Sequence, residues 1–179
     1  KYANYAGITK SLGDEAGQPF PDLVTENDGQ WSDAHRQTGH CKIYILLAAN
    51  NDLYPGGLPN ITAVIKGKKD IYDPRDASTG WSDNPALCVA NYLCDTVRGV
   101  GAVYADAINE IELIASANVC DESITLAAGG TEKRYTCNGS ITTSEKPVDI
   151  IPKLASAMAG YVVKIGAGWN IHAGAYDTP

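Results

Sequence analysis

The sequence predicts an α+β fold, with small mixed or antiparallel sheets, about three helices and a C-terminal β-hairpin. Three observations carry this reading. The run Gly80-Trp81-Ser82-Asp83-Asn84-Pro85-Ala86-Leu87 is a helix start. Ser82 and Asp83 are good N-caps, because a short side-chain oxygen accepts from the free N–H groups of the first turn. Pro85 has its φ already helical and no N–H to satisfy. Residues 105–119 and 150–159 carry apolar side chains at helical spacing. At the tail, Tyr161, Val163 and Ile165 alternate with Val162 and Lys164, Gly166-Ala167-Gly168 turns, and Trp169 and Ile171 alternate with Asn170 and His172.

Residues 1–40 are rich in Gly, Asp, Asn and Gln and read as loop, with one short helix near 33–38. Residues 41–49 read as a buried strand, with Ile43, Ile45 and Leu47 on one face and Tyr44 and Leu46 on the other. Pro55-Gly56-Gly57 turns the chain, residues 61–65 make a β-branched strand, and residues 70–72 a third, short one. The first helix covers 84–95, and Gly99 and Gly101 stop it. The second covers 105–119, with Ile108, Ile111, Ala115 and Val119 as its apolar stripe, widened by Ile114. Residues 134–138 read as a short strand. The third helix covers 150–159, with Asp149 as cap, Pro152 in the first turn and Gly160 closing it. The expected core joins Ile108, Ile111 and Val119 to Ile151, Leu154, Val163, Ile165, Trp169 and Ile171.

Charge and cysteine content narrow the function. A net charge of −7 repels phosphate backbones, which argues against nucleic-acid binding along the chain. Lys66-Gly67-Lys68-Lys69 is the one basic cluster and reads as a solvated turn. The aromatic burial falls on ten Tyr and three Trp, with a single Phe. No cysteine pair has zinc-site spacing, and Cys88 and Cys94, on one helix, sit roughly 9 Å apart along its axis, too far to bridge. Buried free thiols are the favoured reading, and a Cys120–Cys137 disulfide stays open. The longest apolar run, 43–50, is too short to span a bilayer, and no signal peptide is visible. The start at Lys1 suggests a piece of something longer.

No constellation of reactive residues emerges. His35 and His40 lie in the loop-rich start and His172 on the polar face of the last strand, none in a nucleophile motif. The carboxylate pairs Asp14-Glu15, Glu110 with Glu112, and Asp121-Glu122 are too close in sequence to face one another across a cleft. Gly99-Val100-Gly101 and Gly129-Gly130-Thr131 match no phosphate loop. No catalytic, cofactor-binding or metal residue is assigned, no cofactor is expected, and the chain is read as a non-enzyme.

With Gly57-Leu58-Pro59, Tyr72-Asp73-Pro74-Arg75, Ser82-Asp83-Asn84-Pro85-Ala86 and Gly168-Trp169 in this order, the chain from about residue 57 to 179 resembles the central tail hub, or tip attachment, proteins of long-tailed bacteriophages and prophages. The resemblance rests on Gly57-Leu58-Pro59-Asn60-Ile61-Thr62-Ala63-Val64-Ile65-Lys66-Gly67, Ile71-Tyr72-Asp73-Pro74-Arg75, and Trp81-Ser82-Asp83-Asn84-Pro85-Ala86. It continues through Asn118-Val119-Cys120-Asp121, Arg134-Tyr135-Thr136-Cys137-Asn138-Gly139, and the closing Gly160-Tyr161, Gly168-Trp169 and Gly174-Ala175-Tyr176. Asp70 departs from the small apolar residue usual before Ile71-Tyr72. The resemblance implies assembly rather than catalysis: a ring, usually trimeric, at the tail tip of the virion, built in the bacterial cytoplasm. Its implied partners are tail-tip and tail-tube proteins and the tape-measure protein, and no membrane segment or sequence-specific nucleic-acid contact is implied. Asp73, Pro74, Ser82, Asp83, Asn84 and Pro85 become turn formers and caps under it.

The sequence divides into a loop-rich segment, 1–40, that packs on the rest, and a hub-like region, 41–179, with 41–80 and 81–179 as optional subdomains. Two other functional classes stay open. A tail-borne cell-wall hydrolase would need convergent titratable groups in a cleft. A carbohydrate- or receptor-binding module would need exposed aromatics such as Trp31 or Tyr54 along a groove.

Overall fold

A computed structural model describes residues 6–13, 17–48 and 50–175. The fold is α+β, with five helices and eight strands in four two-stranded antiparallel sheets among the described residues. The chain forms two compact units, Lys1–Ala63 and Val64–Pro179.

In the first unit, β1 (Ala6–Ser11) pairs antiparallel with β2 (Lys42–Leu47), from Ala6 opposite Leu47 to Ser11 opposite Lys42. This pairing returns residues 42–47 to the N-terminal segment. The strand at 41–49 is not fully buried: Ile43 and Leu46 are exposed, because a two-stranded ribbon offers little surface to cover them. The short helix is α1 (Pro21–Glu26), begun by Pro21, while 33–38 is a turn. The positive φ values of Gln37 and Gly39 do not fit a helix there. Phe20 is the buried anchor, stacked on Tyr44 with centroids 5.6 Å apart. Lys42 lies over the Phe20 ring and donates to the carbonyls of Gln18 and Arg36 at 2.8 and 2.6 Å. Residues 61–63 form no strand, and Ile61 is exposed.

The second unit is built around α2 (Pro85–Cys94). Leu87, Val89, Ala90 and Leu93 of α2 are all buried. They join a core with Ile71 of β3 (Ile71–Asp73), which pairs with β4 (Ser78–Gly80). Residues 64–65, expected as the end of a strand, have no regular structure.

The expected second helix is broken. α3 (Tyr104–Ala107) ends before Ile108 and Asn109, which are extended, and α4 (Glu110–Asp121) follows. The terminal hairpin causes the break: the Asn109 N–H donates to the Trp169 carbonyl at 3.0 Å, and Ile108 bridges Trp169. The break resets the helical phase. Leu113, Ser116, Ala117 and Cys120 face the core, while Ile111 is 81% exposed and Ala115 is on the outer face. The expected stripe keeps only Ile108 fully buried, with Ile114 and Val119 half-buried.

β5 (Ser123–Thr125) and β6 (Thr131–Lys133) form a small hairpin that the sequence reading lacked. Residues 134–138 are not a strand, though they run pinned along the unit: Arg134 donates to the Glu122 carbonyl, Tyr135 to that of Cys120, and Cys137 to that of Asp83. α5 (Pro147–Ser156) starts three residues earlier than expected, because Pro147 supplies a helical φ. Asp149 therefore sits within the first turn and not at the cap, and Pro152 lies inside the helix. α5 contributes Ile150, Leu154 and Ala155 to the core, and Met158 follows it.

The C-terminal hairpin is as expected: β7 (Tyr161–Ile165) pairs with β8 (Gly168–His172). Ile171 and half-buried Trp169 face the core, but Val163 and Ile165 are exposed. Ser116 ties α4 to the hairpin: its hydroxyl donates to the Ile171 carbonyl at 2.7 Å and accepts from the Ala173 N–H at 3.0 Å. Gly160 is required by close approach, since a Cβ there would meet the His172 carbonyl oxygen at 1.9 Å.

Candidate functional site

The motif residues converge on the start of α2. The cap is Asn84, not Ser82 or Asp83: its Oδ1 accepts from the N–H groups of Ala86 and Leu87. Ser82 supports the turn by accepting from the Asn84 N–H at 3.1 Å. Asn84 wins because its fully buried amide has a second use. Its Nδ2 donates to the Ala117 carbonyl and to Asp121 Oδ2, both at 2.9 Å, which joins α2 to α4.

Asp121 is the hub of an ionic cluster. Arg75 reaches it at 2.8 Å and also grips Asp73 at 2.6 Å. Lys133 bridges Asp121 at 2.9 Å and Asp83 at 2.8 Å. The Arg75 guanidinium holds the Asp73 carboxyl below its usual range. Burial pushes Asp121 up, but its hydrogen bonds from Lys133, Arg75 and Asn84 outweigh that and leave it lowered. Lys133 is raised, first by its bond to Asp83. Every charge here has a partner, so the cluster holds segments together and presents no free acid or base.

The remaining candidate residues are similarly engaged. Glu110 accepts from the Tyr104 hydroxyl at 3.2 Å, Glu112 faces His172 at 3.4 Å, and Glu122 pairs with Arg134 at 2.7 Å. Asp14-Glu15 lies outside the described residues. His35 stacks on Trp31 and its Nδ1 accepts from the Ser32 N–H, and His40 Nδ1 sits 3.1 Å from the Thr38 carbonyl. Among the described residues no group of His, Cys, Asp and Glu could hold a metal ion. The five cysteines are free thiols.

One wide groove opens in the second unit, with a volume of about 660 Å³. α2 and α5 form its floor, and residues 64–68 and 136–145 its sides. Its surface is mixed: Val64, Ile65, Trp81, Ile141 and Leu154 line it beside charged groups. Four of those charges form two ion pairs. Lys68 binds Asp95 at 2.6 Å, which holds the Asp95 carboxyl well below the usual range, and Lys153 binds Glu145. Lys66 covers the Trp81 ring at 4.4 Å. The Tyr92 hydroxyl is buried at the groove floor with no hydrogen-bond partner, and burial raises its pKa.

Sequence reasoning missed that Arg75 and Lys133 meet at Asp121, because Arg75 lies 46 positions from that acid along the chain. No protein-family model matches the chain.

Proposed function

We propose that this chain is a structural part of a tail-tip hub from a long-tailed bacteriophage or prophage. It works through protein–protein contacts in tail assembly, host attachment and DNA delivery. The observation that carries this reading is the apolar rim of the groove: Val64 is fully exposed, Ile65 is 74% exposed and Ile141 is exposed opposite them. Apolar side chains gathered at an open groove are stabilised when a neighbouring protein covers them. Three of the motif segments that carry the resemblance, 71–75, 81–86 and 118–121, meet at the α2 cap and its ionic cluster, which suits a scaffold. The neighbours under this reading are other copies of the chain, in a trimeric ring of the full-length protein, and the tail-tube and tape-measure proteins.

Cross-linking of purified virions with an amine-reactive reagent tests the reading. Lys66, Lys68 and Lys69 flank the rim. They are expected to link to a second tail protein or a second copy. Peptidoglycan or polysaccharide turnover by the purified chain, abolished by one Asp, Glu or His substitution, would replace the hub with a tail-borne hydrolase.

A further inference from the structure

Cys88 lies in the second turn of α2, and its thiol donates to the Ser82 carbonyl at 3.6 Å. Cys137 sits on the side wall of the groove, where its N–H donates to the Asp83 carbonyl at 2.7 Å. Both hydrogen bonds end on the turn that precedes α2, so one anchor positions both cysteines. Both line the groove and are partly exposed, whereas Cys120 is fully buried. The Ser82 and Asp83 carbonyls are adjacent along the chain, so these two bonds bring the two cysteines close together at the groove.

We infer that Cys88 and Cys137 form a thiol–disulfide exchange site, open through the groove to small disulfides and closing to a Cys88–Cys137 bridge. The reaction has two steps. The Cys137 thiolate attacks one sulfur of a small disulfide, forms a mixed disulfide and expels one thiolate. The Cys88 sulfur then attacks Cys137 Sγ, closes the bridge and expels the second thiolate. The two protein thiols lose two electrons and two protons, and the small disulfide becomes two thiols. Cys137 is the attacking partner: its interaction with the Cys88 side chain lowers its pKa from the usual thiol value, which favours the thiolate. The same interaction, and then burial, push Cys88 up, so its proton leaves second. The bridge fastens residues 136–138 to α2 and so fixes one wall of the groove. The pairing differs from the Cys120–Cys137 bridge that the sequence left open.

Oxidised glutathione added to the purified 179-residue protein tests this, followed by alkylation and tryptic mapping under non-reducing conditions. The expected product joins residues 76–98 to residues 135–153, and its fragment ions place the bond on Cys88 rather than Cys94. The link persists in Cys94→Ser and is lost in Cys137→Ser. The wild-type map decides the question alone, so the result does not depend on a variant folding. A link from residues 135–153 to residues 99–133, which carry Cys120, would overturn the inference. So would Cys137 ending only as a glutathione adduct, or all five thiols staying free.

Discussion

Arg75 and Asp121 stand 46 positions apart, and their side chains meet at 2.8 Å. Arg75 follows the short strand β3 and Asp121 ends α4, so this ion pair fastens the small sheet to the helix that brings Leu113, Ala117 and Cys120 into the core. Asn84 reaches the same carboxylate from the start of α2. One acid thereby fixes three segments, each of which looks like an independent turn or cap in the sequence.

Asn84→Ala removes the cap and the buried amide bonds together. It is expected to cost about 2 kcal/mol in urea unfolding. Ser82→Ala and Asp83→Ala are expected to cost less than about 1 kcal/mol each, because Ser82 bonds only one N–H and Asp83 makes a surface ion pair. Equal losses for all three would move the cap away from Asn84.

Stability is expected to fall on acidification through the Asp73 and Asp121 carboxyls. Both have folded-state pKa values below their ordinary range. Their contribution is complete above the unfolded value, near pH 4, and is lost as pH drops through the lower folded values. Melting curves from pH 6 to pH 2 should show the loss below about pH 4. Asp121→Asn should lower the melting temperature at pH 6 and flatten the acid slope, whereas an unchanged slope would remove Asp121 from the cause.

Leu113 and Ile111 separate the observed face of α4 from the one its sequence suggests. Leu113 is fully buried and Ile111 is exposed. Leu113→Ala is expected to cost about 2–5 kcal/mol, and Ile111→Ala less than about 0.5 kcal/mol. The reverse order would restore the continuous stripe.

Gly160→Ala sets a methyl group against the His172 carbonyl at the base of the terminal hairpin. The backbone must shift, at about 1–3 kcal/mol, and thermal unfolding should show a lower melting temperature. Gly56→Ala, where an added Cβ meets nothing, serves as the control and should melt like the parent.

Val64→Asp places a charge on the exposed rim of the groove. Its stability should stay within about 0.5 kcal/mol of the parent. Under the hub reading, virions carrying it should lose the cross-links from residues 66–69 or fail to assemble. Normal assembly with the links retained would exclude this rim as the contact surface.

The α2 start, the terminal hairpin and the α+β class were legible in the sequence because each rests on local physics. Pro85 sets its own φ, Gly166-Ala167-Gly168 turns on the spot, and Tyr161, Val163 and Ile165 alternate within one strand. Such signals need no distant partner. The break between α3 and α4 was decided otherwise, because Trp169, some sixty residues on, takes the Asn109 N–H. The choice of Asn84 over Ser82 as cap depended on Ala117 and Asp121 in the same way. The groove and the Cys88–Cys137 contact exist only once residues 136–145 lie along α2 and α5. Local propensity sets which turns and caps can form. Competition for backbone hydrogen bonds, and the burial of a shared core, decide where they form and which side chains meet.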